Sequence, residues 1–190
     1  MKKQNKSKRQ MRGYSIVELL VSIGIIMTLS AFAVPSLLRT YRSYQIDDTA
    51  AQVAGQLKFT RYEGIRRNNP ITCLNNTQNG YLTMFTDDNN DGVAQGTERQ
   101  IVLNGLATLV TSSTVPSSGA LAAVVNAGAL TTISPSNGTL TFDGRGAKTS
   151  VGVSVYWVGN ANYGWRAVTV MPSGSVQVWS YATGTWIQLS

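Results

Sequence analysis

From Tyr14 to Leu38 the chain carries a single formal charge, Glu18, in an otherwise apolar run. A helix over that run is about 37 Å long at about 1.5 Å per residue, enough to cross a hydrocarbon core of about 30 Å. Lys2, Lys3, Lys6, Lys8, Arg9 and Arg12 precede the run without an acid among them. That asymmetry predicts a single-pass anchor with its leader in the cytoplasm. A carboxylate central in a spanning helix costs about 2 to 3 kcal/mol or more, and less near the interface. Glu18 therefore marks either a shallow position within reach of the headgroups or a partner.

The net charge of +7 on 190 residues invites a nucleic-acid or acidic-surface partner. Most of it belongs to the leader: from Tyr14 onward ten basic residues face nine acidic ones. Beyond Asn68, Arg99, Arg145, Lys148 and Arg166 stand against Asp87, Asp88, Asp91, Glu98 and Asp143. No basic face is written there, which argues against nucleic acid as a partner. Histidine is absent, which excludes a Ser-His-Asp triad, a Cys-His pair and a histidine zinc site. No nucleophile and base are paired in the sequence, so the chain does not read as an enzyme. Cys73 stands alone; it is a partly buried thiol or an intermolecular bridge, with no internal disulfide open to it.

Past Leu38 the helical pattern continues but becomes amphipathic, with Ile46, Ala50, Val53, Leu57 and Ile65 on one face. Asn68-Asn69-Pro70 ends it. Short runs rich in β-formers follow: Tyr81–Thr86, Arg99–Leu103, Val151–Val158, Trp165–Met171, Val176–Trp179 and Thr185–Leu189, with Pro172-Ser173-Gly174 as a hairpin turn. Their alternation predicts an antiparallel sheet with one face covered, the amphipathic half-helix being the cover. Between Gly105 and Asn137 the chain holds no charge and reads as a loop-rich, partly stranded region. The expected fold is α+β: a leader at 1–13, a membrane-spanning half-helix at 14–38, an amphipathic half-helix at 39–67 and a β-rich head at 68–190.

Gly13-Tyr14-Ser15-Ile16-Val17-Glu18-Leu19-Leu20 resembles the class III signal of type IV pilins and type II secretion pseudopilins. The resemblance implies a prepilin peptidase that cuts between Gly13 and Tyr14 and methylates the new amino terminus at Tyr14. It implies that Glu18 meets the amino-terminal charge of a neighbouring subunit during assembly. Tyr14 and Ser15 stand where the family usually has Phe and Thr, keeping an aromatic and a hydroxyl. Pro35 falls where pilin helices carry a proline, and a kink or local melting is expected there. A helix followed by an Asp-Asn turn, Glu98-Arg99, Phe142-Asp143-Gly144-Arg145-Gly146 and a late Pro-Ser-Gly hairpin is similar to the GspH/FimT branch of minor pseudopilins.

By this resemblance the chain is a non-enzymatic subunit of a type II secretion or type IV pilus filament. It would be held in the inner membrane with its head in the periplasm, beside an assembly platform and other pilins. Two other readings are open. Ala31-Phe32-Ala33 matches a secretory A-x-A site, and cleavage after Ala33 would free a soluble β-domain. Against this, the apolar stretch exceeds the about 7 to 15 residues of a signal core and contains Glu18. The second reading is a DNA-uptake pilin, with Trp157, Tyr163, Trp165, Trp179, Tyr181 and Trp186 stacking on bases. The stretch after the last hairpin, Gly174-Ser175-Val176-Gln177-Val178, lacks the positive charge that DNA-binding members of the branch carry there, and aromatics without cations more often pack a sheet.

Asp87 to Glu98 fits D-x-[DN]-x-[DN]-G-x5-E, the calcium-loop pattern, with Asp87, Asn89, Asp91 and Glu98 as oxygen donors around Gly92. The flanks read as strands where a helix–loop–helix site needs helices. The alternative is an Asx-rich hairpin connection whose acids serve the turn.

Overall fold

The computed structural model describes residues 14–78, 80–103 and 108–189. The chain divides into two compact units, one ending at Thr40 and one running from Tyr41 to Ser190. Helix α1, Ile16–Arg67, is unbroken through Pro35, so the local melting expected there does not occur.

In the first unit the apolar side chains of α1 are exposed all round, from Ile16 and Val17 to Leu37 and Leu38. This stretch is long and apolar enough to cross a membrane. Two of its hydroxyls bond back along the helix: Ser22 Oγ donates to the Glu18 carbonyl at 2.7 Å and Thr28 Oγ1 to the Gly24 carbonyl at 2.5 Å. Donation to the carbonyl one turn back satisfies a hydroxyl where water is absent.

The second unit is built from the rest of α1 and two sheets. Strands β1 (Ile71–Gln78), β2 (Tyr81–Asp87), β3 (Gln100–Leu103) and β6 (Gly138–Phe142) form an antiparallel sheet in the order β3-β2-β1-β6. The other sheet has the order β10-β9-β8-β7-β4, from β10 (Thr185–Gln188), β9 (Val176–Ala182), β8 (Gly164–Val170), β7 (Val153–Asn160) and β4 (Leu109–Val110). Strand β5 (Leu130–Thr132) joins β7 in parallel. The architecture is α+β, as expected. The six runs read as strands became β2, β3 and β7 to β10, with end shifts of up to three residues. The single sheet expected from them is corrected to two, and β1, β4, β5 and β6 are additional.

Ile46, Ala50, Val53 and Leu57 of α1 are buried against both sheets, touching a cluster that holds Cys73, Met84, Leu140 and Phe142 from one and Tyr156, Val158, Val168 and Val170 from the other. Each such side chain contributes about 1.5 to 3 kcal/mol by leaving water. A polar seam runs through this apolar contact. Gln56 Nε2 donates to Thr86 Oγ1 at 2.9 Å and to the Arg99 carbonyl at 2.8 Å, and Thr60 Oγ1 lies 2.7 Å from Thr86 Oγ1. All three side chains are fully buried, and these bonds recover much of what desolvation costs them.

The six-stranded sheet is covered on its second face as well. Trp157, Trp165, Trp179, Trp186, Val155 and Ala167 form a separate core with Val115 and Leu121. The cover comes from helix α2 (Ser118–Val124) and a 3-10 turn at Ser112–Thr114. The uncharged region is loop-rich and partly stranded, as expected, and its described residues, 108–137, also supply helix α2 and a covering layer: Leu121 is fully buried and Thr132 binds the indole of Trp157.

Candidate functional site

Three places carry the residues singled out by sequence. At the amino terminus, Gly13 lies outside the described residues. Tyr14 is exposed ahead of α1, Glu18 is exposed in its first turn and Pro35 lies further along. The Leu19 amide donates to the Ser15 carbonyl at 3.1 Å, which opens the helix one residue after Tyr14. Glu18 therefore stands on a formed helix among exposed apolar side chains.

The acidic loop is held by its own backbone. Asp87 is buried; Oδ1 accepts the amides of Asn90 and Asp91 at 2.7 and 3.2 Å, and Oδ2 accepts that of Gly92 at 3.0 Å. Glu98, also buried, closes the far end by accepting the amides of Asp88 at 2.9 Å and Gln95 at 3.0 Å. Asp91 accepts the Val93 amide at 2.8 Å, which holds its carboxyl below the usual range, aided by Asn89 and Gln95. Asn89 Oδ1 accepts the Asp91 amide at 3.1 Å. Among the described residues no three acidic, cysteine or histidine side chains converge on a metal-sized site. The four calcium-pattern residues are thus brought into one turn, with their oxygens aimed at amide hydrogens.

The tryptophans of the aromatic strip are interior, and Tyr163 and Tyr181 are half-buried. All four tryptophans are buried. Trp157 Nε1 donates to Thr132 Oγ1 at 3.0 Å, Trp179 Nε1 to Thr169 Oγ1 at 2.9 Å and Trp186 Nε1 to the Ser117 carbonyl at 3.1 Å. Trp186 lies 5.6 Å from Trp157 and 5.2 Å from Tyr181 between ring centroids, so the rings pack one another and offer no open face to a base. Arg166, the one charge between Thr149 and Ser190, is bound to Asp47 of α1 at 2.5 Å. That basic group is therefore already paired, while Arg42 of α1 lies 6.0 Å from the ring centroid of Tyr163.

Sequence reasoning missed the residues that dock the late turns on α1. Arg61 Nε donates to the Gly146 carbonyl at 2.9 Å and Nη2 to the Ser173 carbonyl at 3.4 Å. A Cβ at Gly64 would meet the Asp143 carbonyl at 3.1 Å, and one at Gly144 would meet the Asn68 backbone at 2.7 Å. Gly64 is buried, whereas Ile65, expected on the buried face, is exposed. The signal was the glycine pair in Phe142-Asp143-Gly144-Arg145-Gly146, with Gly64 one turn before the helix end. Lys148, just beyond, is buried, and Nζ donates to Ser150 Oγ at 3.1 Å and Ser154 Oγ at 2.9 Å. Loss of water pushes the pKa of its amine down.

Comparison with known proteins yields a family. The crystal structure of the type IV minor pilin FimU from Pseudomonas aeruginosa (strain PAO1) aligns over 76% of this chain and 93% of that one, at 12% identity and a TM-score of 0.49. No curated protein matches. The model of the family described as type II transport protein GspH matches residues 49–174, from the buried face of α1 through the turns that dock on it. That match spans more than half of the sequence, and the chain belongs to the GspH family.

Proposed function

We propose that this chain is a minor pilin or pseudopilin, cut by a prepilin peptidase after Gly13, methylated on Tyr14, and held in the inner membrane until an assembly platform feeds it into a filament. The observation that carries the reading is the exposed apolar helix beginning at Ile16 with Glu18 in its first turn, in a chain whose remainder belongs to the GspH family. A half-helix with no buried apolar face in its own fold needs another apolar environment, first lipid and then the half-helices of neighbouring subunits. In this reading residues 1–13 are the leader, 14–38 the membrane and assembly segment, and the head lies in the periplasm. Glu18 draws an incoming subunit into register by pairing with its amino-terminal charge in a medium of low dielectric. The role is structural, as family membership points to a filament subunit. The acidic loop serves as a self-capped turn, and neither DNA nor a metal is needed.

Mass spectrometry of the amino terminus, combined with filament isolation, tests this directly. Gly13→Ala should leave the leader attached. Glu18→Ala should be processed and methylated yet fail to enter filaments. A mature start at Val34, or normal incorporation of Glu18→Ala, would sink the corresponding step.

A further inference from the structure

We propose that Arg39, Tyr41, Arg42 and Tyr44 form a phospholipid-headgroup anchor that sets the depth of α1 in the membrane; the proposal rests on the membrane-spanning reading above. These residues follow Leu38, the last of the apolar run, without an intervening acid. Arg39 is exposed, and the rings of Tyr41 and Tyr44 are 60% and 67% exposed. Neither tyrosine is needed by the head's core, which α1 first enters at Ile46. The guanidinium of Arg42 lies 6.0 Å from the ring centroid of Tyr163 in the β7–β8 turn.

Tyrosine and arginine are the residues a headgroup layer takes up. The ring keeps its body against acyl chains and its hydroxyl in water, and guanidinium presents a planar fork to phosphate oxygens. Six helical residues rise about 8 Å, matching the about 5 to 8 Å of headgroup region that each leaflet adds to the hydrocarbon core. The occupant is thus a phospholipid surface, recognised by its phosphodiester groups.

The anchor has a consequence at the other end of the run. If Leu38 marks the outer limit of hydrocarbon, about 30 Å of helix below it, some 20 residues, ends at Leu19. Glu18 is then the first residue in the inner headgroup layer. While the chain is stored in the bilayer its carboxylate escapes the penalty of burial in hydrocarbon, and the low-dielectric pairing with another subunit's amino terminus forms only as α1 leaves lipid for the filament.

The test uses the full-length chain in phosphatidylethanolamine–phosphatidylglycerol vesicles and in galactolipid vesicles that lack phosphate. Introduced cysteines at Gly24, Leu38, Ser43 and Val151 are labelled with a membrane-impermeant maleimide. Cys73 is fully buried and stays silent, and Val151, 94% exposed, sets the reference rate. In phospholipid, Leu38→Cys should react at least about tenfold more slowly than Ser43→Cys, and in galactolipid the contrast should fall to about threefold. In an Arg39→Gln/Arg42→Gln background the two lipids should give the same contrast. An identical contrast in both lipids for the parent chain overturns the anchor while leaving the span intact. Reaction of Gly24→Cys at the reference rate overturns the span and the anchor together.

Discussion

Gly174 lies so close to Gly146 that a Cβ built on it would stand 1.8 Å from the Gly146 carbonyl oxygen, the same oxygen that accepts the Arg61 Nε hydrogen at 2.9 Å. One helix side chain thereby fastens two turns from distant parts of the chain, and the turns themselves interlock. The Gly174 amide donates to the Met171 carbonyl at 2.8 Å, closing the hairpin between β8 and β9 against this contact. The arrangement gives the glycines of Phe142-Asp143-Gly144-Arg145-Gly146 and Pro172-Ser173-Gly174 a shared purpose: backbone approaches backbone where a side chain has no room.

Gly174→Ala should accordingly be far more damaging than a glycine change of equal backbone strain. Gly174 and Gly80 both sit at positive φ, +80° and +81°, but a Cβ on Gly80 would meet nothing within 4 Å. Thermal unfolding should show a loss of about 1 kcal/mol for Gly80→Ala from strain alone, and more than about 3 kcal/mol for Gly174→Ala from strain plus overlap. Equal losses would mean that the close approach contributes nothing.

What sequence made legible was periodicity. Ile46, Ala50, Val53 and Leu57 are buried as their spacing predicted, because a 3.6-residue repeat reports a helix face whatever covers it. The strands with β-branched or aromatic alternation were found for the same reason. Strand β1, Ile-Thr-Cys-Leu-Asn-Asn-Thr-Gln, was missed because its buried positions include Cys73 and Asn75, and Asn75 is a turn former by preference that here gives its side-chain amide to the Ser134 carbonyl. In the region between Gly105 and Asn137 the loops and short strands were legible, but helix α2 and its covering role were not, because the apolar content is mostly alanine and valine, too small to mark a face. Its role follows only from the tryptophans it covers. In the acidic loop, the donor residues and spacing were legible, but the direction of each carboxylate was not, since amide hydrogens and a cation attract the same oxygens.

Asp87→Ala tests that direction. The substitution leaves the amides of Asn90 and Gly92 without their acceptor, while the Asp91 amide keeps Asn89 Oδ1, and unsatisfied donors cost about 1 to 3 kcal/mol each when buried, less where water reaches them. Thermal unfolding in the presence of a chelator should already show the loss, and added calcium should shift neither the parent nor the variant. A parent melting temperature that rises with calcium, and a variant that does not respond, would make the loop a metal site.

Cys73 gives a pH dependence with a defined sign. Burial pushes its thiol up to about 12 from a reference of 9.0, a hydrogen bond with Thr60 opposing weakly. Below pH 9 the thiol is protonated in both states and contributes nothing to the slope. Above it the unfolded chain releases the proton while the folded chain keeps it, so stability falls as pH rises from about 9 towards 12, by up to about 1.4 kcal/mol per unit. Tyr156, also pushed up by burial, adds its own loss only above its higher reference of 10.0. Between pH 9 and 10, denaturant unfolding of the parent should therefore show a steeper decline than Cys73→Ala. Parallel slopes would mean that the thiol is open to solvent.

The two cores can be separated by a single optical signal. All four tryptophans of the chain belong to the outer core, under α2, and none to the core between α1 and the sheets. Leu121 of α2 and Leu57 of α1 are both fully buried leucines, so each change to alanine should cost about 2 to 5 kcal/mol. Their effect on tryptophan emission should differ. Leu121→Ala opens a cavity beside the indoles, admits water and shifts the native emission to the red. Leu57→Ala opens one on the far side of the six-stranded sheet and leaves the native emission where it was, although unfolding comes earlier. A red shift in both variants would show that the cores yield as one. A lack of any cost in Leu121→Ala would show that the uncharged segment covers the sheet without holding it.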